Sequence, residues 1–393
     1  MRRLIIIVCE VDESSRYKDG VRTNLFNSPF YEHAHRKIMD AANKLELNVK
    51  FVSADVFMRK TQNFDISATV ESNDIVAVVS PFVFFAPSTA IESAIKQAVN
   101  NKFTYSTVGN ADDYYAVFGL GEMILKGHDI STCTDFIASI EDTGAVYTHV
   151  KVLEKERATP QSRMEYFGKI EGYRKEFLDY LVMSGVDIEN REGVIIAPNC
   201  VIRPGVKILP NTFIYDNSLI KENSVIGPNA VIVNSQIGEA SVIENSKVSG
   251  SVLEYGVTVD SYSKIENNCQ IDDGVKISSN CTIENSHIGA RSVIYPNSVL
   301  VETKTGENTI IGSGTVTVKS VCSQTESKTY QTRIGDYAII GCNSTLVAPI
   351  EIGDNGLVAA GSVITDTVPK NAFAIAREFQ ETKENRAKKR KRF

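Results

Sequence analysis

An aliphatic residue returns at every sixth position across 194–365 of this chain. Ile196, Ile202, Ile208, Ile214, Ile220, Ile226 and Ile232 set the beat. It slips to Ile237, resumes at Ile243 and slips again to Val248 and Leu253. From Val259 it holds through Ile265, Ile271, Ile277 and Ile283, then passes through Ile288 to Ile294 and Leu300. After an interruption it returns at Ile334, Ile340, Leu346, Ile352, Val358 and Ile364. Gly, Asn, Asp, Pro and Ser fill the intervals, as in VIGPNAVIV and IEIGDNGLVAAGSVI. Neither a helix, with its 3.6-residue period, nor simple strand alternation accounts for six. The pattern predicts a parallel β-helix of hexapeptides, with three short strands and three tight turns in each coil of about 18 residues. Aliphatic side chains stack inward from coil to coil, and Gly and Asn supply left-handed turn conformations. No single coil buries its own face, so the stack must be continuous and capped.

The first 160 residues follow a different rhythm. LIIIVCEV reads as a central strand of a parallel sheet. A polar stretch from Asp12 to Asn27 follows, and then Ser28-Pro29 opens a helix with Phe30, Ala34, Ile38, Ala41 and Leu45 on one face. VKFVSADVF and DIVAVVSPFVFFAP read as two more strands. A helix capped by Ser88 carries Ile91, Ile95 and Val99. YYAVFGLGEMILKG and GAVYTHVKVLEK read as further strands, giving an α/β domain. Apolar Phe167, Ile170, Phe177, Leu181 and Val182 mark a connecting helix, with Gly185 at its C-cap position, and the coil stack is entered at Val186-Asp187-Ile188.

Composition narrows the possibilities without changing that outline. The chain has 393 residues, more than one core usually serves, and is 42% hydrophobic with a net charge of −6. Mild acidity argues against a nucleic-acid surface, although NRAKKRKRF at the C-terminus is basic and suits either an anionic ligand or a subunit contact. The run Leu4 to Val8 is too short to span a membrane. Seven scattered cysteines without a CxxC pair point to reduced thiols in a cytoplasm, with Cys269 and Cys281 as small packing residues. His33 and His35 lie two apart on a helix, poor geometry for one metal, and read as surface histidines; no metal site is expected.

FLDYLVMSGVDIENREGVIIAPNCVIRPGVKI resembles the helix-to-β-helix junction of the bacterial bifunctional N-acetylglucosamine-1-phosphate uridylyltransferase/glucosamine-1-phosphate acetyltransferase family. IGDYAIIGCNSTLVAPIEIGDNGLVAAGSVITDTVPKNAFAIAREFQ resembles the end of that family's acetyltransferase domain. The likeness covers 185–380 well and the first 160 residues in outline. It implies a nucleotidyltransferase-like α/β domain over 1–160, a linker helix over 161–190, a left-handed parallel β-helix over 191–366 and a basic tail over 367–393. It also implies a homotrimer, which is how such a prism covers a flat apolar face.

The chemistry that the resemblance implies is altered at both ancestral centres. CEVDESSRYKDG stands where a Gly-rich loop would cradle a triphosphate, and Glu10, Asp12 and Glu13 would repel phosphate. Arg16, Lys18 and Arg22 leave open a weak phosphate site or a solvated loop. Pro81, beside Ser80, occupies the place of the metal-binding Asp, so no role for magnesium is expected. The position of the family's catalytic His falls at Tyr295-Pro296, and His287, the nearest histidine, reads as part of a surface turn. Glu266 and Asn285 stand where cations would grip the sugar phosphate. Glu284, Glu302 and Tyr295 are open between a role on another substrate and a solvent-facing one. Acetylation of glucosamine 1-phosphate is therefore not expected.

One part of the ancestral machinery is intact in the sequence. Gly341, Cys342, Ala359, Ala360, Gly361 and Arg377 match the region that holds acetyl-CoA in the family, with the alternative that Ala and Gly simply pack the last coils. The segment from Val318 to Arg333 breaks the hexads like the excursion that walls that slot in related acyltransferases, but lacks the Asn-Tyr pair. Two functions stay open. One is an acyltransferase that uses acetyl-CoA or another acyl-CoA on a sugar phosphate or nucleotide sugar. The other is a non-catalytic ligand-binding, regulatory or scaffold paralogue.

Overall fold

The computed structural model describes residues 2–8, 24–25, 28–45, 49–51, 56–57, 70–100, 104–110, 113–125, 133–141, 146–152, 158–160, 162–319 and 331–378, together with 380 and 382. Contacts divide the chain into two units, Met1–Leu181 with Ile196–Cys200, and Val182–Ile195 with Val201–Phe393.

The first unit is built on a sheet of β1 (Arg2–Val8), β2 (Val49–Phe51), β3 (Ile75–Val79), β4 (Thr104–Asn110), β5 (Asp113–Leu120) and β6 (Val146–Lys151), with a short strand Val56–Phe57 beside β1. The order is β2-β1-β3-β5-β4-β6. Pairing of β1 with β2 and β3 is parallel, as the unbroken apolar runs predict. The sheet nevertheless proves mixed, because β5 runs antiparallel to both β3 and β4. Helices α1 (Phe30–Lys44) and α2 (Ser88–Asn100) bury Ala34, Ile38, Ala41, Ile91 and Ile95 against one face. On the other face α3 (Cys133–Glu141), which the sequence reading missed, buries Phe136, Ile137 and Ile140.

The expected long strand over DIVAVVSPFVFFAP ends at Val79. Ser80 accepts a hydrogen bond from the Phe82 amide at 3.3 Å, and Pro81 opens a 3-10 turn over Pro81–Phe85. Proline lacks the N–H that a central strand must donate, so the chain turns there. Helix α4 (Arg163–Met183) packs within the first unit through Tyr173, which is buried among Phe84, Phe85 and His33. Of the residues expected on its inner face, Phe177 and Leu181 are buried, but Phe167 is 54% and Val182 37% exposed.

The second unit is the left-handed parallel β-helix, its two- to four-residue strands stacked in three strips of ten, nine and ten. Every beat residue from Ile208 to Ile311 is fully buried or nearly so, and those beyond it stay inside. The slips of the beat are shorter coils: Val201 pairs with Leu219, but Leu219 pairs with Gln236 and Gln236 with Val252. The turns take left-handed conformations at Asn211, Asn223, Asn229, Asn280, Asn297, Asn343 and others. At Asn280 the side chain also donates to Asn297 Oδ1 one coil on, at 2.7 Å.

A second repeating feature went unread in the sequence. Buried Ser, Thr or Cys side chains line the inside of the corners and hydrogen-bond to backbone between coils. Ser246 Oγ accepts from the Ser263 amide at 3.0 Å and Ser263 Oγ accepts from the Cys281 amide at 3.1 Å, so the chain of contacts is continuous. These hydroxyls satisfy backbone groups at corners too tight for regular sheet pairing. Cys269 and Cys281 take the same position, and burial pushes both thiols above their ordinary range. The interruption of the beat leaves the stack intact, since Thr303 pairs with Thr332 and Val316 with Thr345.

Candidate functional site

Three successive strands of one strip, Ile339–Ile340, Leu357–Val358 and Phe373–Ala374, lead into the same corner of the prism. That corner gathers all six residues matched to the acyl-carrier region. Gly341 donates its amide to Val358 O at 2.9 Å, Ala359 to Ala374 O at 2.9 Å, and Gly361 to Cys342 O at 2.8 Å. Arg377 Nη1 donates to Ala360 O at 2.9 Å, which ties the last residue to the same column. The backbone is close-packed here. A Cβ on Gly341 would lie 2.4 Å from Ala360 N, and Gly361 sits at φ +71, so both positions demand glycine. Cys342, Ala360, Gly361 and Arg377 are exposed along the edge. An extended chain laid against it meets bare backbone, with a guanidinium at one end for a phosphate.

Tyr295 and Pro296, the place to which the resemblance assigns a catalytic base, lie higher on the same corner. Tyr295 donates its amide to Ile311 O and Pro296 O accepts from the Gly314 amide, both at 2.9 Å. The Tyr295 side chain is exposed, and neither residue offers a basic nitrogen. His287 is not in a turn as expected: it lies in the strand His287–Ile288, its Nε2 2.8 Å from Asp272 Oδ2. Glu266 accepts from Lys247 Nζ at 2.7 Å and from Lys264 Nζ at 2.6 Å. Burial pushes its carboxyl up, but the two lysine donors outweigh burial and hold it below the ordinary carboxylate value. Asn285 occupies a left-handed turn at φ +45 and donates its amide to Glu266 O. The lysines at this place are thus already neutralised within the chain.

Arg16, Lys18 and Arg22 lie outside the described residues, as do Glu10, Asp12, Glu13, most of the excursion and the basic tail. The turn after β3 presents buried Pro81, Phe82 and Phe84. Among the described residues no three His, Cys, Asp or Glu side chains converge to hold a metal. His33 is not a surface residue as expected but fully buried, its Nδ1 3.2 Å from the Tyr173 hydroxyl, because the α1 face it shares with Lys37 is roofed by α4. Among the described residues no helix is long and apolar enough to cross a membrane.

Such a corner on such a stack defines a hexapeptide-repeat transferase fold. The family model "Bacterial transferase hexapeptide (six repeats)" matches residues 199–234 and 331–366, and "GlmU-like, C-terminal hexapeptide" matches 224–310. The bifunctional protein GlmU of Streptococcus pyogenes is 39% identical over 158 residues, covering 40% of this chain and 34% of that protein. GlmU of Fervidobacterium nodosum is 30% identical over 327 residues, 83% of this chain and 65% of that protein. The chain thus resembles the GlmU proteins, most strongly over its hexapeptide repeats, and it spans about a third of the length of the streptococcal relatives it matches. Among solved structures, the UDP-N-acetylglucosamine acyltransferase of Campylobacter jejuni is 18% identical, with TM-score 0.29, 46% of this chain and 71% of that chain covered. The polySia-specific acetyltransferase NeuO is 15% identical, with TM-score 0.23 and coverages of 51% and 91%.

Proposed function

We propose that this chain is a CoA-dependent acyltransferase of sugar-nucleotide metabolism whose acceptor is a sugar phosphate or nucleotide sugar other than glucosamine 1-phosphate. The observation that carries the reading is the corner where Gly341, Ala359, Ala360 and Gly361 expose backbone beside Arg377. Acetyl-CoA or another acyl-CoA would lie along this column, its pantetheine against the small residues and a phosphate at Arg377. Nucleotidyl transfer has no part in the reading: a buried apolar turn follows β3, where the metal-binding carboxylate would stand, and magnesium is not required.

A cytoplasmic homotrimer belongs to the same proposal. Ile310, Ile339, Leu357 and Phe373 stand in register on adjacent strands, each with 37% to 60% of its surface exposed, on the strip that leads into the corner. A row of that kind suits burial against a second copy, which would also flank the acyl-carrier column.

The test is direct. Acetyl-CoA should raise the melting temperature of the full chain, and Arg377→Ala should weaken binding roughly tenfold, the loss expected for one charge-assisted contact. The absence of any shift with CoA, UTP or UDP-sugars at millimolar concentration would defeat the proposal. The lysine-neutralised Glu266 and the Tyr295-Pro296 position favour a second reading, a non-catalytic ligand-binding or regulatory paralogue. It predicts CoA binding without acyl transfer to any amino-sugar acceptor.

A further inference from the structure

A different face of the prism carries two cations side by side on adjacent rungs. The strands Thr303–Thr305 and Thr332–Ile334 are neighbours, and Lys304 pairs in register with Arg333. In adjacent parallel strands the two Cα atoms lie about 4.8 Å apart, with both side chains on the solvent side. Like charges directly opposite one another are destabilising in a sheet. Among the described residues neither Lys304 nor Arg333 has a carboxylate within 4.0 Å. Elsewhere the same stack treats such a pair differently. Lys247 and Lys264 also stand in register, and Glu266 bridges their ammonium groups.

The surroundings shape an open notch of about 500 Å³ at this place. Gly306, Gly335 and Gly353 form its corner, where a Cβ on any of them would strike the next coil. Arg333 Nε donates to Gln331 Oε1 at 3.4 Å, which sets the guanidinium along the notch. Asp354, on the far side, is already held by Lys370 at 3.1 Å and by the Asp336 amide at 3.2 Å. On the rung above Lys304 stands His287, oriented by Asp272, which in turn accepts from Gln270 Nε2 at 3.2 Å. Glu351, in register on the rung below Arg333, lines the notch together with Asp354, and both carboxylates oppose an anion.

We propose that this notch binds a phosphomonoester group between Lys304 and Arg333, with His287 as a third hydrogen-bonding group at its edge. Two positive charges on neighbouring rungs match a dianion. The arginine fork and the ammonium together reach the several oxygens that a phosphoryl group presents and a carboxylate does not. The site is separate from the Gly341–Arg377 corner and does not depend on the acyl-transfer reading.

Isothermal titration of the full chain at low ionic strength, where exposed charges are least screened, tests it with inorganic phosphate and with a hexose 1-phosphate. Both probes should bind. Arg333→Gln and Lys304→Gln should each weaken binding about tenfold, Glu351→Gln should tighten it, and Lys247→Gln should leave it unchanged. Tighter binding of the hexose 1-phosphate supports a phosphate ester as ligand, and equal binding supports free phosphate. Unchanged circular dichroism and melting temperature establish that each variant is folded. The inference is overturned if neither probe binds at millimolar concentration, or if binding persists in the Lys304→Gln, Arg333→Gln double variant.

Discussion

Glu266 shows how a single residue changes meaning once the coils are wound. In sequence it is a lost phosphate clamp. In the structure it is a bridge between Lys247 and Lys264, which come together only because one turn of the prism returns the chain to the same strip. Its carboxyl titrates below the unfolded value of 4.5. A depressed acid contributes stability that is fully present above pH 4.5 and is lost as pH falls through the folded-state value. The melting temperature of the wild type should therefore drop below pH 4.5, and Glu266→Gln should flatten that drop. At pH 7 the same variant should lose about 1 kcal/mol, since two opposed ammonium groups remain. Cysteine reactivity offers a second check at this scale. Cys133, Cys200, Cys269 and Cys281 are buried and Cys342 is exposed. Mass mapping after brief maleimide treatment should find Cys342 modified ahead of those four, and acetyl-CoA should slow its modification if the corner holds the cofactor.

At the scale of elements, legibility followed the range of the interactions. Helix α1 could be read because Ala34, Ile38 and Ala41 repeat at helical spacing and all face the sheet. The coil strands could be read because each repeats its neighbour's pattern. The break after Val79 was missed because Phe82, Val83 and Phe84 are as apolar as a strand, and only Pro81 betrays the turn. Helix α3 was missed because its periodic run is short. Helix α4 was found, but its inner face was misjudged: the anchor is Tyr173, not Phe167. Tyr173 is buried against three aromatic rings, and burial drives its hydroxyl far above the ordinary tyrosine value. Tyr173→Ala should destabilise the first unit by about 3–5 kcal/mol, the usual cost of deleting a buried aromatic, measured by denaturant unfolding. Tyr173→Phe, which removes only the contact to His33, should cost about 1 kcal/mol.

For the molecule as a whole, the two units differ in what sequence alone reveals. The β-helix is a one-dimensional repeat, so local pattern and global architecture coincide. In the first unit the sheet order β2-β1-β3-β5-β4-β6 depends on pairings between distant segments, and the reversed β5 has no local signature. The candidate corner was legible because its Gly and Ala residues sit at fixed places in the repeat. The Lys304 and Arg333 pair was not, since the interrupted beat hides that they are neighbours. If the apolar row closes a trimer, Leu357→Glu should shift the mass in solution, by light scattering, from three chains to one. A variant that stays trimeric would place the contact elsewhere.

The seam where Thr303 meets Thr332 carries one more implication. The strands on either side of the interruption, Val316–Lys319 and Thr332–Ile334, both find partners in the ladder, so the stitching runs on across that point. Shortening 320–330 should leave the melting temperature of the stack nearly unchanged. A lineage could then rewrite that segment freely, trying new neighbours for a ligand without putting the stack at risk.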